Sequence, residues 1–245
     1  MNDKVEGLVL KISDYKENDL LIDCLTRDHL FFSFVARGSK KTSSHHHFYN
    51  FCLYEFLIDY KDNKTMYTVY DRKLLENYYD DNMKLMAFKD ILAEVSIKSK
   101  ELRDYDMFDN LLFVFRNINN KNCYLLGSLY LSYILKISGI SPEVDKCVIC
   151  SNKKVVSISK RLGGFVCLNH VQGEDLMEVD ILKKFRLINK ASFENYDVIK
   201  DIEFSFDDFK LLVEFYELNS EINLKSFKIY RDCLLYTSPS PRDQR

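Results

Sequence analysis

Two pairs of metal donors sit close together in this 245-residue chain: Cys147-Val-Ile-Cys150 and, after sixteen residues, Cys167-Leu-Asn-His170. An x2 spacing lets one tight turn aim both of its donors at a single ion, and the second pair completes the coordination shell. Three thiolates and one imidazole fill a tetrahedron and leave no position open for water. That donor set belongs to a structural Zn2+ ion rather than a catalytic one. The alternative is four unrelated residues among seven cysteines, and the paired spacing is what separates the two. The metal module is expected over 140–173.

Chemistry of other kinds is missing. No Gly-x4-Gly-Lys-Ser/Thr loop is present to cradle a triphosphate, and neither His-Glu-x-x-His nor Gly-x-Ser-x-Gly occurs. Asp80-Asp81 falls where the composition changes, and Asp207-Asp208 falls in the first turn of an expected helix, where acidic residues complement the dipole. His45-His46-His47 sits in a polar loop, and three adjacent side chains diverge rather than converge on an ion. The expectation is therefore a protein that is not an enzyme.

The donors need elements to hold them, and the chain supplies two textures. Residues 1–78 read as strands: Val5–Ile12 around Gly7, which suggests a bend or bulge, then Leu20–Thr26, Leu30–Ala36, Phe51–Lys61 and Thr65–Leu74. Arg27-Asp-His29 and Asp62-Asn-Lys64 are the expected turns. Five short strands with a glycine in the first fit a small barrel such as an OB-fold. Beyond Tyr78 the apolar period becomes helical. Leu85, Phe88, Leu92 and Val95 recur, then Phe108, Leu111, Leu112 and Phe115. Tyr124–Ser138 places Leu125, Leu129, Ile134 and Ile137 on one broad side and stops at Gly139 and Pro142. Further helices carry Ile181, Phe185 and Ile188, then Phe209, Leu212, Val213 and Tyr216 behind a capping box at Ser205, and a last one spans Leu224–Leu235. The expected fold class is α+β: a five-stranded OB-fold barrel over 1–78, then a helical domain over 79–235 with a zinc-binding insertion. Residues 236–245, proline-rich and aperiodic, resemble translated adapter sequence and are set aside.

Composition adds bounds. The hydrophobic fraction is 47%, the charged fraction 29% and the formal net charge −2, the balance of an ordinary globule. No apolar run reaches the ~18 residues of a membrane span, and Met-Asn-Asp-Lys begins no leader-like segment, so a cytoplasmic protein without a membrane partner is expected. Cys24, Cys52, Cys123 and Cys233 are expected as buried reduced thiols. Two stretches carry bases and no acids: Phe34–Asn50 with Arg37, Lys40 and Lys41, and Ser151–Gly173 with Lys153, Lys154, Lys160 and Arg161. Such segments form an electrostatic footprint on an otherwise balanced chain. OB-folds hold single strands with a basic groove and stacked aromatics. Phe32, Tyr49, Tyr54, Tyr67 and Tyr70 fall near the first basic stretch, and Tyr67-Thr-Val-Tyr70 is the best candidate for an exposed platform.

Taken in order, these motifs resemble one known family. The order is Gly7-Leu-Val-Leu10, Tyr15-x-Glu17-x-Asp19, Ala36-Arg37-Gly38 with trailing bases, Gly139-Ile-Ser-Pro142 leading into Cys147-x2-Cys150, and Gly163-Gly164-x2-Cys167-x2-His170. The pattern, across 1–235, is similar to the RecO family of bacterial recombination proteins. The resemblance implies an OB-fold, a helical domain with a zinc site at Cys147, Cys150, Cys167 and His170, and Arg37, Lys40 and Lys41 on a DNA-binding face. It also implies a nucleoid-associated mediator of DNA repair. Such a mediator binds single- and double-stranded DNA, anneals complementary strands, and with RecR displaces single-strand-binding protein so that RecA can load. The sequence departs from the family at Asp28-His29, where a glycine is usual, and in the histidine-rich loop after Lys41. The competing reading is a zinc-stabilised protein–protein adaptor whose DNA contact is incidental.

Overall fold

The computed structural model describes residues 2–27, 30–40, 47–59 and 66–237. Six strands come first: β1 (Asn2–Tyr15), β2 (Asp19–Thr26), β3 (Leu30–Ala36), β4 (Cys52–Asp59), β5 (Met66–Tyr67) and β6 (Val69–Asn77). Then come α1 (Met83–Lys98), α2 (Asp106–Asn117), α3 (Cys123–Ile137), β7 (Ser157–Ser159), β8 (Gly164–Val166), α4 (Val179–Lys190), α5 (Tyr196–Ile199), α6 (Phe206–Ser220) and α7 (Lys225–Thr237). By contacts the chain forms two compact units, Met1–Asn117 with Lys225–Arg245, and Ile118–Leu224.

The first unit is built on a barrel. β1 is long enough to pair with β4 through Asn2–Leu8 and with β2 through Gly7–Tyr15. A bulge between Val9 and Lys11 bends it from one partner toward the other. β2 continues to β3, and β4 continues to β6. Only Thr68 separates β5 from β6, so one broken strand closes the sheet: β6 is antiparallel to β4 while β5 runs parallel to β3. This is the five-stranded closure of an OB-fold, with the expected fifth strand split in two. The bulge lies beyond Gly7, which itself pairs regularly with Thr26 and Tyr54. Space explains the glycine instead, since a Cβ there would stand 2.9 Å from the Phe56 ring. Alternation along the strands turns Val5, Val9, Ile22, Cys24, Phe32 and Phe56 inward. Phe32, Phe34 and Phe56 pack with ring centroids 5.4–5.8 Å apart.

Helices α1 and α2 join the barrel as its periodicity requires. Asn82 starts α1 by accepting from the N–H groups of Lys84 and Leu85. The side chains of Leu85, Phe88, Leu92 and Val95 are buried, as are Phe108, Leu111, Leu112 and Phe115 of α2. Arg27 reaches Asp109 through two nitrogens, and Phe115 meets Phe51 edge-on at 5.4 Å. The end of the chain returns to this unit. Glu94 of α1 accepts from the N–H groups of Lys225 and Ser226, placing a carboxylate at the start of α7, and Phe88 packs against Tyr230. Cys24 and Cys52 are buried as expected. Cys233 is exposed instead, because α7 turns Phe227 and Tyr230 inward and leaves it on the outer face.

The second unit surrounds α3. The sequence suggests one apolar side for this helix, but its residues from Cys123 to Leu135 are buried almost all round, since α4 and α6 both pack on it. Gly139, at φ 71°, supplies the expected left-handed stop. In α4 the buried residues are Leu182, Phe185 and Ile188, with Ile181 only half-buried. Ser205 and Asp208 form the expected reciprocal capping box of α6. Among the described residues no helix is long and apolar enough to cross a membrane.

Candidate metal centre and nucleic-acid interface

The second unit brings the four donors together. Cys147, Cys150, Cys167 and His170 place their ligand atoms within 4.8 Å of one another. Cys147 Sγ lies 3.6 Å from His170 Nδ1, Cys167 Sγ lies 3.3 Å from the same nitrogen, and Cys150 Sγ lies 3.6 Å from Cys167 Sγ. A tetrahedral zinc with ordinary bond lengths has edges of about 3.8 Å between sulfurs and about 3.6 Å between sulfur and nitrogen. The cluster matches that size and could hold a metal ion.

Local backbone geometry explains the match. After Cys147 the chain turns so sharply that Ser151 N–H reaches the Cys147 carbonyl at 2.9 Å, with Ser151 at φ 60°. His170 N–H likewise donates to the Cys167 carbonyl. The two turns are held side by side because Val148 N–H donates to the Phe165 carbonyl of β8. Gly164 permits this approach. At φ 154° it sits against the backbone of Glu143, where a Cβ would fall 2.4 Å from the carbonyl oxygen.

Electrostatics favour deprotonation at one donor, Cys147. Burial alone would raise the Cys147 thiol. The N–H groups of Cys150, Cys167 and Ile149 and the His170 side chain oppose burial and draw its pKa down to about 6. Burial and the neighbouring Cys150 raise that of Cys167. Cys147 and Cys167 are buried, His170 is half-buried and Cys150 is exposed. Of the module's bases, Lys160 is paired with Glu214 at 2.6 Å and Arg161 is bonded to Gln172. Lys153 and Lys154 are exposed.

The barrel carries the second candidate site, and two of the sequence motifs meet there. Asp19 accepts from Gly38 N–H at 2.9 Å, and Lys40 N–H donates to the Asn18 carbonyl at 3.1 Å. The loop before β2 thus clasps the Ala36-Arg37-Gly38 turn, with Gly38 at φ 67°. Beside this turn lies a cleft of about 690 Å³, lined by β3 and the turn after it on one side and Thr68–Arg72 on the other. Its origin is the weak closure of the barrel. Among the described residues the β3–β5 ladder holds Ser33–Met66 and Phe34–Tyr67, and the cleft is lined by the residues that follow on both strands.

The expected residues distribute unevenly around this cleft. Arg37 and Tyr70 line it, both exposed. Lys40 is ion-paired with Asp14 at 2.9 Å, which offsets its charge. Lys41, His45 and His46 and the expected turns at 28–29 and 62–64 lie outside the described residues, and for Tyr67 only the backbone is described, in β5. Phe32 and Tyr54 belong to the core, while Tyr49 is exposed. Two lining residues escape the sequence reading. Arg72 stacks its guanidinium 3.9 Å from the Phe48 ring centroid and 5.8 Å from that of Tyr54. Burial lowers the pKa of Arg72 and lifts that of Tyr54 to about 12. A basic residue on a predicted strand and a phenylalanine in a loop carry no periodic signal that would pair them.

A closed five-stranded barrel with a cationic, aromatic cleft, in one chain with a helical unit bearing a Cys3His cluster, defines an OB-fold protein with a metal-binding module. The family model described as "Recombination protein O N terminal" matches residues 1–78. DNA repair protein RecO of Listeria welshimeri is 24% identical over 94% of this chain and 94% of its own length. Its namesake from Clostridium novyi is 24% identical over 93% of both, and that from Bacillus pumilus 28% identical over 68% of this chain and 67% of its own. The chain is thus similar to RecO proteins over most of its length, and its first 78 residues match that family's N-terminal model.

Proposed function

We propose that this chain serves DNA repair by recombination as a non-enzymatic mediator, with the barrel as its DNA-binding unit and a structural Zn2+ ion in the second unit. The relatives just named are DNA repair proteins over nearly the same span. The observation that carries the reading is the cleft, whose lining includes the exposed Arg37 and Tyr70 and the stacked Arg72. Cations with accessible aromatic faces suit a polyanion whose bases present π-faces. Backbone contacts of this type hold single- and double-stranded DNA without sequence preference, and they support annealing of complementary strands. Handing DNA from single-strand-binding protein to RecA, with RecR, is the step such a mediator performs.

For the metal, zinc is the ion that a tetrahedral Cys3His set without an open position prefers. Cys147, Cys150, Cys167 and His170 would hold it, and what it supplies is fold stability in the second unit, since binding free energy becomes folding free energy there.

The test is a titration of single-stranded DNA at low and moderate salt. Affinity is expected to fall steeply, with a log–log slope of about −0.7 per phosphate neutralised. Replacing Arg37, Lys40 and Lys41 together by alanine is expected to weaken binding and flatten that slope while leaving the barrel folded. Salt-independent affinity, or wild-type affinity in the triple variant, would refute the reading. An adaptor would behave differently, shifting only DNA already coated by single-strand-binding protein.

A further inference from the structure

The cleft is more specific than a cationic groove. Its charges are few: the exposed Arg37 and Arg72 stacked on Phe48, with Asp71 also in the lining. A site made for phosphates alone would gather bases along a line and needs no aromatic floor. Here Tyr70 is 58% exposed on β6 and lines the same cleft as Arg37. Ser39, which also lines the cleft, is 95% buried by its 5% exposure, and its Oγ has no hydrogen-bond partner among the described residues. A buried hydroxyl without a partner is costly unless something that enters the cleft supplies one. The volume, about 690 Å³, admits a planar ring together with its sugar and phosphate.

We infer that the seam between β3 and β6 is a subsite for one unstacked nucleotide of a DNA strand, with Tyr70 as the stacking face, Ser39 Oγ as a hydrogen-bond partner of the base or sugar, and Arg37 and Arg72 facing the phosphate. This rests on the DNA-binding reading and deepens it. A base inside a duplex is stacked on both faces and has its edge occupied, so it cannot enter without unpairing. The subsite therefore makes the barrel discriminate single strands from duplexes, which phosphate contacts alone do not.

The experiment compares fluorescence anisotropy of the full chain on an oligothymidylate and on a duplex of equal length, at one salt concentration. Tyr70→Ala is expected to weaken single-strand binding by about 5- to 150-fold, the worth of one stacked base, and to leave duplex binding within about twofold. Tyr70→Phe keeps the ring and is expected to bind like wild type. Ser39→Ala is expected to lose single-strand affinity by a smaller factor, again without effect on the duplex. Arg37→Ala is expected to weaken both substrates. Tyr70→Ala weakening both substrates equally, or neither, would overturn the subsite and leave DNA binding standing. Failure of the wild-type chain to bind either substrate would overturn the DNA-binding reading and the subsite with it. Circular dichroism of each variant checks the fold, and at an exposed tyrosine the ring's removal leaves the core intact.

Discussion

The metal cluster and the barrel cleft are assembled by opposite means. All four donors of the cluster arrive within twenty-four residues, each pair on its own tight turn, and a two-strand hairpin, with Gly164 against the Glu143 backbone, sets the turns side by side. The cleft draws on segments around 34–39, 48 and 68–72 that meet where β5 pairs with β3 and the barrel closes. The first site is covalently local and, on the zinc reading proposed above, would draw its stability from a bound ion. The second is topologically remote and depends on the packing of the phenylalanine core. Damage to one should therefore spare the other, and each prediction below tests that independence.

The largest effect belongs to the donors. Chelation, or Cys167→Ser, is expected to take bound zinc from one per chain to none, as elemental analysis would show. The second unit should then lose hydrogen-exchange protection, since structural zinc sites contribute about 10–16 kcal/mol of binding free energy at neutral pH. Barrel amides should stay protected. Gly164→Ala comes next, because its Cβ has backbone rather than a movable side chain in its way. A cost of about 3 kcal/mol is expected, read as a lower melting temperature with oligothymidylate affinity unchanged.

Asp19→Ala acts on the other site. Losing the bond to Gly38 N–H is expected to cost about 1 kcal/mol. By loosening the turn that carries Arg37 it should also weaken DNA binding several-fold, with zinc content unaltered. The smallest effect is electrostatic. Hydrogen bonds from Arg116 and then Tyr78 hold the Glu76 carboxyl below its ordinary value. A depressed carboxylate contributes above its unfolded pKa and loses that contribution as pH falls through the folded one. Glu76→Gln should thus lower the urea midpoint at neutral pH by the equivalent of about 0.5–1 kcal/mol, discounted for solvent, and the gap should close in acid. A gap that persists in acid would assign the loss to packing.

Much of this was legible in the chain, for reasons that differ by region. The donors were visible because the distance between them is fixed by a few peptide bonds. The strands and most helices were visible because periods of 2 and 3.6 report which face is buried. Asp19 and Gly38 were legible as motifs but not as partners, since a separation of nineteen positions across two strands hides their hydrogen bond. Arg72 and Phe48 carried no signal, because only barrel closure puts a guanidinium over that ring. The return of α7 to the first unit rests on Glu94 meeting Ser226 across 132 positions, a separation no local pattern spans. Lys40 shows the reverse case: its charge was plain, but Asp14 takes it up.

The most direct measurement is annealing of complementary oligonucleotides by the purified chain, followed by fluorescence, first with naked strands and then with strands coated by single-strand-binding protein. Accelerated annealing on both, lost on naked strands in the Arg37, Lys40, Lys41 triple alanine variant, is the expected result. No acceleration on naked strands, with or without bound zinc, would contradict the barrel's role as the DNA-holding unit.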